Sequence, residues 1–316
     1  MKVLVTGGAG FIGTHVCREL LERGAEVVVF DDLSTGREAN LGNLPVDLRR
    51  GCVTDAGAVK TAAAGADAVV HLAAVASVPL SLQMPARTHD VNVTGTLHVL
   101  EAARAVDAHV VLASSAAVYG DGCAGTTGES APLAPVSPYA TSKLAAEAYV
   151  TSWQRSFGMA TLALRFFNVF GPLQRPGDAY AAVVPAFVDA ALAGRPLQIL
   201  GDGRQTRDFV PVSTVAALVG DAVLRRVSHP TPVNLALGSA TSVLELVDHL
   251  EQVLRRPLPR SHRPSRAGDV HHSRGDNALL RRLFPDLAPT VLVDALRETV
   301  AWWQGGRAPR ISRSAA

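Results

Sequence analysis

The stretch Lys2-Val3-Leu4-Val5-Thr6-Gly7-Gly8-Ala9-Gly10-Phe11-Ile12-Gly13 decides the fold. Its first residues form a short apolar run, as expected of a strand buried on both faces. Glycines then recur at every third position, Gly7, Gly10 and Gly13, and a helical pattern, Phe11–Arg23, comes next. Strand, glycine-rich turn and helix in that order form a dinucleotide-binding unit. Gly7 permits the tight turn, Gly10 lets backbone approach a pyrophosphate, and Gly13 allows the helix to pack closely on the strand. The helix N-terminus, with Phe11 and Ile12, then faces the phosphates with N–H groups that no helical carbonyl accepts.

Outward from this turn the same rhythm continues. Glu26–Asp31, Ala68–Leu72 and His109–Ser114 read as short apolar strands, and Ala56–Ala64 and Val93–Val106 as helices. Alternating strands and helices predict an α/β fold with a doubly wound parallel sheet. A helix at Tyr139–Phe157, opened by Pro138, and a strand at Ala160–Phe167 extend it. From Gly171 the pattern loosens into turns at Gly171-Pro172, Pro176-Gly177 and Gly201–Gly203. The expected organisation is a dinucleotide-binding domain over 1–167, with 207–240 returning to it. A smaller C-terminal α/β substrate domain is expected from 168–206 and 241–304. The stretch 305–316, with Arg307, Arg310 and Arg313 among small residues, reads as a flexible tail.

Of 316 residues, 48% are hydrophobic and 18% charged, a composition that can bury a core. Thirty Lys and Arg balance 28 Asp and Glu, which argues against a nucleic-acid partner. Cys17, Cys52 and Cys123 are too few to staple the chain and lack metal-ligand spacing. His271 and His272 are adjacent and cannot share a helical face, so no metal site is expected. The first apolar run stops at Thr6-Gly7-Gly8, and no apolar stretch reaches the roughly 20 residues of a membrane helix. The expectation is a soluble protein of the reducing cytoplasm, with no membrane partner.

Asp31 ends the second strand, 18 residues after Gly13. A carboxylate there accepts from both adenosine ribose hydroxyls and repels a 2′-phosphate, which selects NAD over NADP. Asp32 reinforces this, and Ser34, Thr35 and Gly36 continue the cofactor set. Tyr139 and Lys143 lie four residues apart, on one helical face, and Ser115 comes directly after an apolar strand. A free phenol has a pKa of about 10. A nearby ammonium and a positive nicotinamide favour its phenolate, so Tyr139 is expected to act as a base near neutral pH.

With that glycine spacing and the Tyr139/Lys143 pair, the chain resembles the extended short-chain dehydrogenase/reductase family. The resemblance is to its nucleotide-sugar epimerase/dehydratase branch, and runs from Met1 to about Trp303. It implies a Rossmann-type fold, tightly bound NAD and a UDP-sugar substrate. It also implies a homodimer built from the Val93–Val106 and Tyr139–Phe157 helices. It assigns catalysis to Ser115, Tyr139 and Lys143, with Tyr139 and Lys143 also on the cofactor. It places Leu72, Ala73, Ala74 and Ala76 beside the pyrophosphate, Asn92 in support and Phe167 at the nicotinamide. Where the family carries an acid that contacts adenine, this chain has Cys52, with Val53 next to it. For the substrate it implies Ser77, Ser115, Ala116, Ala117 and Tyr139 around the sugar. Asn168, Arg207 and Arg266 fall on the diphosphate, Asp269 on the ribose, and Val184 and Gln198 in the uracil pocket. Arg175, in Gln174-Arg175-Pro176, stands where an arginine can pair with a C6 carboxylate.

Members of the branch differ in the fate of the sugar after hydride transfer. Sugar 4,6-dehydratases carry an acidic pair at the positions of Ala116 and Ala117, and UDP-glucuronate decarboxylases carry a Glu in this segment. With alanines there, the resemblance points to simple inversion at C4. UDP-glucuronate/UDP-galacturonate leads, ahead of UDP-glucose/UDP-galactose and then N-acetylated sugars. A dehydratase, a decarboxylase and a non-catalytic NAD-binding sensor are the alternatives; sensors of this kind usually lose the Tyr or the Lys, and this chain keeps both.

Overall fold

The computed structural model describes residues 1–120, 125–176, 182–265, 272–288 and 291–305. Among these, seven strands form one parallel sheet. From one edge they are Val233–Leu235, Thr161–Phe166, His109–Ser115, Ala68–His71, Lys2–Thr6, Glu26–Asp31 and Asp47–Arg50. The winding reverses between Lys2–Thr6 and Ala68–His71. Open α/β sheets bind ligands outside the carboxyl ends of their strands at such a switch point.

Both faces of the sheet are buried, and strand alternation divides their side chains. Val3, Val5, Val27 and Val29 enter one core, packed by the helices Phe11–Glu22 and Val212–Leu224. Leu4, Val28 and Phe30 enter the other, under Ala56–Ala63, Gly95–Ala105 and Pro138–Phe157. A third core gathers Phe170, Val184, Phe187, Ile199, Leu246 and Leu296. It lies under the helices Val183–Leu192, Val243–Leu254 and Leu292–Gly305, around the strand pair Leu197–Leu200 and Arg260–Arg263.

Two departures from the sequence expectation bear on the cofactor side of the sheet. The edge strand Asp47–Arg50 has the polar sequence Asp-Leu-Arg-Arg, with Leu48 alone of its side chains packed on the core, so no hydrophobic alternation marks it. The helix expected from Val93 is preceded by a π-helical turn, Asp90–Thr94, and continues as Gly95–Ala105. Such bulges occur where a helix must re-aim a side chain. Here Asn92 accepts from Val75 N at 2.7 Å and donates to Ser142 Oγ at 2.9 Å. The helix Pro138–Phe157 starts where Ser137 caps it, its side chain accepting from Ala140 N. Among the described residues, no helix is long and apolar enough to cross a membrane.

The glycine turn is held by close approach. Gly7 has φ +70°, and a Cβ on it would lie 2.7 Å from Ala73 N. A Cβ on Gly13 would lie 2.2 Å from Gly7 O. Gly13→Ala must therefore push the helix off the turn. Overpacking of this kind costs about 1–3 kcal/mol. The expected result is a lower denaturant midpoint together with loss of co-purifying dinucleotide, read by absorbance of the released cofactor; an unchanged midpoint would contradict the packing.

Candidate active site

A cleft of about 530 Å³ opens at the carboxyl ends of the strands. Gly7, Gly10, Phe11, Ile12 and Gly13 form its floor, with Asp31, Asp32, Ser34 and Thr35 at one end. Cys52 and Val53, then Leu72, Ala73, Ala74 and Ala76, line its side. Asp31 is buried, and its carboxylate accepts from Ala9 N at 2.9 Å and Leu33 N at 2.8 Å. These bonds aim it into the cleft. Burial raises its pKa; the two backbone bonds pull the other way.

The Leu72–Ala76 wall is braced from behind. His71 is buried between Thr6 Oγ1 at 2.7 Å and Thr96 Oγ1 at 3.0 Å. Thr96 donates to Asn92 O, so it accepts from His71 Nε2, and His71 Nδ1 accepts from Thr6. Thr6 in turn accepts from Ala73 N. Burial and the nearby Lys143 charge push the His71 pKa down to about 3, so it is a fixed neutral strut.

At the other end stand Ser115, Tyr139 and Lys143, with Phe167 and Arg175 in the same lining. Tyr139 faces Ser115, whose hydroxyl favours the phenolate, in the same lining. Lys143 is buried and donates from Nζ to Ala113 O at 2.8 Å. Burial lowers its pKa to about 8, with Glu147 opposing the shift, so it carries a charge at neutral pH. Enclosure raises the Tyr139 pKa, and the Ser115 hydroxyl offsets this only in part. The expected neutral-pH phenolate is therefore not supplied by the protein groups alone. Desolvation outweighs the one hydroxyl, and a further positive charge is needed.

Behind this face lies a network that sequence reasoning missed. Glu147 and Arg165 form an ion pair at 2.8 Å, with each side chain 3% exposed. Glu147 also accepts from Arg165 Nε at 2.9 Å and from Ser114 Oγ. Arg165 donates to Tyr119 OH at 2.8 Å, and Tyr119 donates to Asn234 Oδ1 at 2.6 Å. Tyr139, Lys143 and Glu147 recur every four residues, so one helical face meets three successive strand residues, Ser115, Ala113 and Ser114. Glu147 stands one turn beyond Lys143, which was the available signal.

A second cavity of about 890 Å³ holds Asn168, Val184, Gln198 and Arg207 in its lining, and Val169 lines both cavities. Asn168 spends one amide bond on Asp208 O, and Gln198 accepts from Arg263 Nε. The Val183–Leu192 helix opens at this cavity and has no side-chain cap, which favours an anion there. Not every expected residue lines a cavity. Asn92 acts from behind, through Val75. Gly36 packs against Asp31, where a Cβ would lie 2.9 Å from Oδ1. Ser77 caps the helix Val78–Gln83. Ala116 and Ala117 form a 3-10 turn, with Ala117 N donating to Ser115 Oγ. Arg266 and Asp269 lie outside the described residues. Among the described residues, no cluster of His, Cys, Asp or Glu could hold a metal ion.

Residues 3–236 match the model of the NAD dependent epimerase/dehydratase family. The chain is 35% identical to the UDP-glucose 4-epimerase of Mycolicibacterium smegmatis over 96% of this chain and 99% of that protein. It is 31% identical to a probable UDP-glucuronate 4-epimerase of Rhizobium meliloti, over 96% of this chain and 97% of that one. The solved UDP-N-acetylglucosamine 4-epimerase from Methanobrevibacter ruminantium M1, in complex with UDP-N-acetylmuramic acid, superposes with a TM-score of 0.92 at 34% identity. That likeness covers 97% of this chain and 99% of the other. This chain belongs to the NAD-dependent epimerase/dehydratase family. Its cofactor is NAD, and the residues present fit it: a glycine turn that admits no Cβ at Gly7 or Gly13, and a carboxylate held at the adenosine end.

Removing one partner of a buried ion pair is costly because it strands the other charge, typically by about 3–5 kcal/mol. Glu147→Gln is therefore expected to lower the unfolding free energy by that order. Glu147→Gln combined with Arg165→Met, which leaves no stranded charge, should recover much of it. Urea denaturation of the three proteins checks this; a double variant no more stable than Glu147→Gln would contradict it.

Proposed function

We propose that the chain is an NAD-dependent UDP-sugar 4-epimerase. The observation that carries this reading is the face of Ser115, Tyr139 and Lys143 at the end of the cofactor cleft, with alanines rather than acids at 116 and 117. Bound NAD supplies a hydride acceptor and donor at the nicotinamide. The second cavity, lined by Asn168, Val184, Gln198 and Arg207, takes the UDP moiety and sets the sugar against Tyr139. Tyr139 accepts the C4 hydroxyl proton while C4 loses its hydride, giving a 4-keto sugar. The 4-keto sugar then turns over, so that hydride would return to the opposite face of C4 and the proton to its oxygen, which inverts C4 and restores the cofactor. Ser115, which faces Tyr139 in the cleft, donates to the reacting oxygen. Lys143 contributes the fixed charge that favours the phenolate. Without an acid or base at positions 116 and 117, the side chains for elimination are lacking.

The sugar we assign first is glucuronate, interconverted with galacturonate, because Arg175 lines the cleft beside Leu173 and Gln174. A guanidinium there matches a C6 carboxylate. UDP-glucose/UDP-galactose is the second reading, carried by the strong likeness to a UDP-glucose 4-epimerase.

Proton NMR of the purified protein, without added NAD, tests both sugars in parallel. Conversion of UDP-glucuronate to UDP-galacturonate, lost in Arg175→Ala, is the expected result. Tyr139→Phe should lower the rate by about 10²–10⁴, the usual worth of a general acid–base group. Activity should also fall as pH rises past about 8, where Lys143 loses its proton. Turnover of UDP-glucose alone would make Arg175 a bystander. A released 4-keto-6-deoxy product would mean a dehydratase, release of carbon dioxide a decarboxylase, and no inversion of any UDP-sugar a sensor.

We also propose a homodimer through the helices Gly95–Ala105 and Pro138–Phe157. Their shared outer face carries Tyr149 and Phe157, 36% and 50% exposed, in edge contact with Trp153. The free thiols of Cys17 and Cys52 suit a reducing cytoplasm. Light scattering of the wild type should give twice the chain mass, and Tyr149→Glu/Phe157→Glu the chain mass; a monomeric wild type would exclude the dimer.

A further inference from the structure

Arg175 sits on a loop, Gly171–Pro176, far in sequence from the cofactor turn, yet both line one cleft. One buried side chain joins them. His15, on the cofactor helix Phe11–Glu22 and 8% exposed, donates from Nε2 to the carbonyl of Pro172 at 3.0 Å. Burial lowers its pKa to about 4, so the ring stays neutral with its one proton on Nε2, the nitrogen that faces the carbonyl. Its ring also packs edge-on against Phe11, whose ring lines the cofactor cleft. The contacts therefore run from the cofactor wall through Phe11 and His15 to Pro172, and then to Leu173, Gln174 and Arg175, which line the same cleft.

The loop needs such a tie. Leu173 is buried in the left-handed region at φ +70°, a conformation that a leucine keeps only when its surroundings hold it. Among the described residues, the loop's other hydrogen bonds stay within its own run of chain. Gln174 donates from its side chain to Val169 O at 3.1 Å and from its amide to Gly171 O at 3.3 Å. Val169 and Gly171 belong to the same run of chain, so neither bond fixes the loop to the cofactor helix. His15 does, across 157 residues of sequence.

We propose that His15 is a positioning residue for sugar recognition: it fastens the Arg175 loop to the cofactor helix, so that the grip on the sugar's C6 substituent is set by the wall that holds the cofactor. The proposal rests on the function proposed above and adds a determinant of its specificity. His15 touches neither the sugar nor the reacting atoms, so its removal should weaken binding without altering chemistry.

The test compares wild type, His15→Phe and His15→Gln as NAD-loaded proteins. Phenylalanine keeps the ring and loses the donor; glutamine can restore a donor to Pro172 O. In His15→Phe the KM for UDP-glucuronate should rise about tenfold, the scale of one buried hydrogen bond. The kcat should hold, the pattern of lost binding shared by ground and transition states. The KM for UDP-glucose should rise less, since it lacks the carboxylate. His15→Gln should recover most of the loss. Hydrogen exchange at the Gln174 amide, measured without sugar nucleotide, should quicken in His15→Phe while cofactor content stays constant. Unchanged exchange and KM in a folded His15→Phe would overturn the proposal, as would parallel loss of cofactor, which would mark His15 as part of the helix core alone. Should His15→Phe fail to fold, His15→Leu takes its place in the same measurements. If the wild type turned over neither sugar, the reaction reading would fail by itself, and the exchange rate at Gln174 would still decide the tie.

Discussion

The buried pair of Glu147 and Arg165 is the constraint around which the active site is arranged. Two charges taken almost wholly out of water are tolerated only when nearly every donor and acceptor finds a partner. Here Glu147 accepts from Arg165 and Ser114, and Arg165 passes its remaining donors to Tyr119 and to Glu129 O. Meeting that demand brings together the helix Pro138–Phe157, the strands His109–Ser115 and Thr161–Phe166, and, through Tyr119 and Asn234, the edge strand Val233–Leu235. It also sets the register of the helix on the strand. Once Glu147 faces Ser114, Lys143 reaches Ala113 and Tyr139 reaches Ser115.

The same logic of buried polar satisfaction shapes the cofactor wall. His71 is neutral and spans Thr6 and Thr96, while Asn92 holds Val75 from a π-helical turn. His71 and Asn92 do not line the cleft themselves, yet they fix the backbone run that does. Electrostatic work in the site is divided between protein and cofactor. The protein supplies a charged Lys143 and a Tyr139 set against Ser115, but burial holds the phenol above its ordinary pKa.

Much of the fold was legible because its signals are local. The strands at Lys2–Thr6 and Glu26–Asp31 are short apolar runs bounded by turns, and both match the structure residue for residue. The polar edge strand Asp47–Arg50 was not legible, since it is defined by backbone pairing rather than by an alternation of apolar side chains. The π-helical turn at Asp90–Thr94 was hidden for a related reason: nothing in Asp-Val-Asn-Val-Thr differs from an ordinary helical start until Asn92 finds Val75 and Ser142.

The sequence by itself determined the doubly wound sheet, the NAD turn with Asp31, and the Tyr139–Lys143 face. Each depends on spacing within a few turns of chain or on glycines whose need is steric. Only the tertiary structure decided that Arg165 and Glu147 form a buried network, that Ser77 caps a helix, and that His15 reaches the loop of Arg175. Those outcomes join residues between 18 and 157 positions apart, or fix which way a side chain turns. Desolvation, which depends on everything packed around a group, decides them, and no local pattern encodes it.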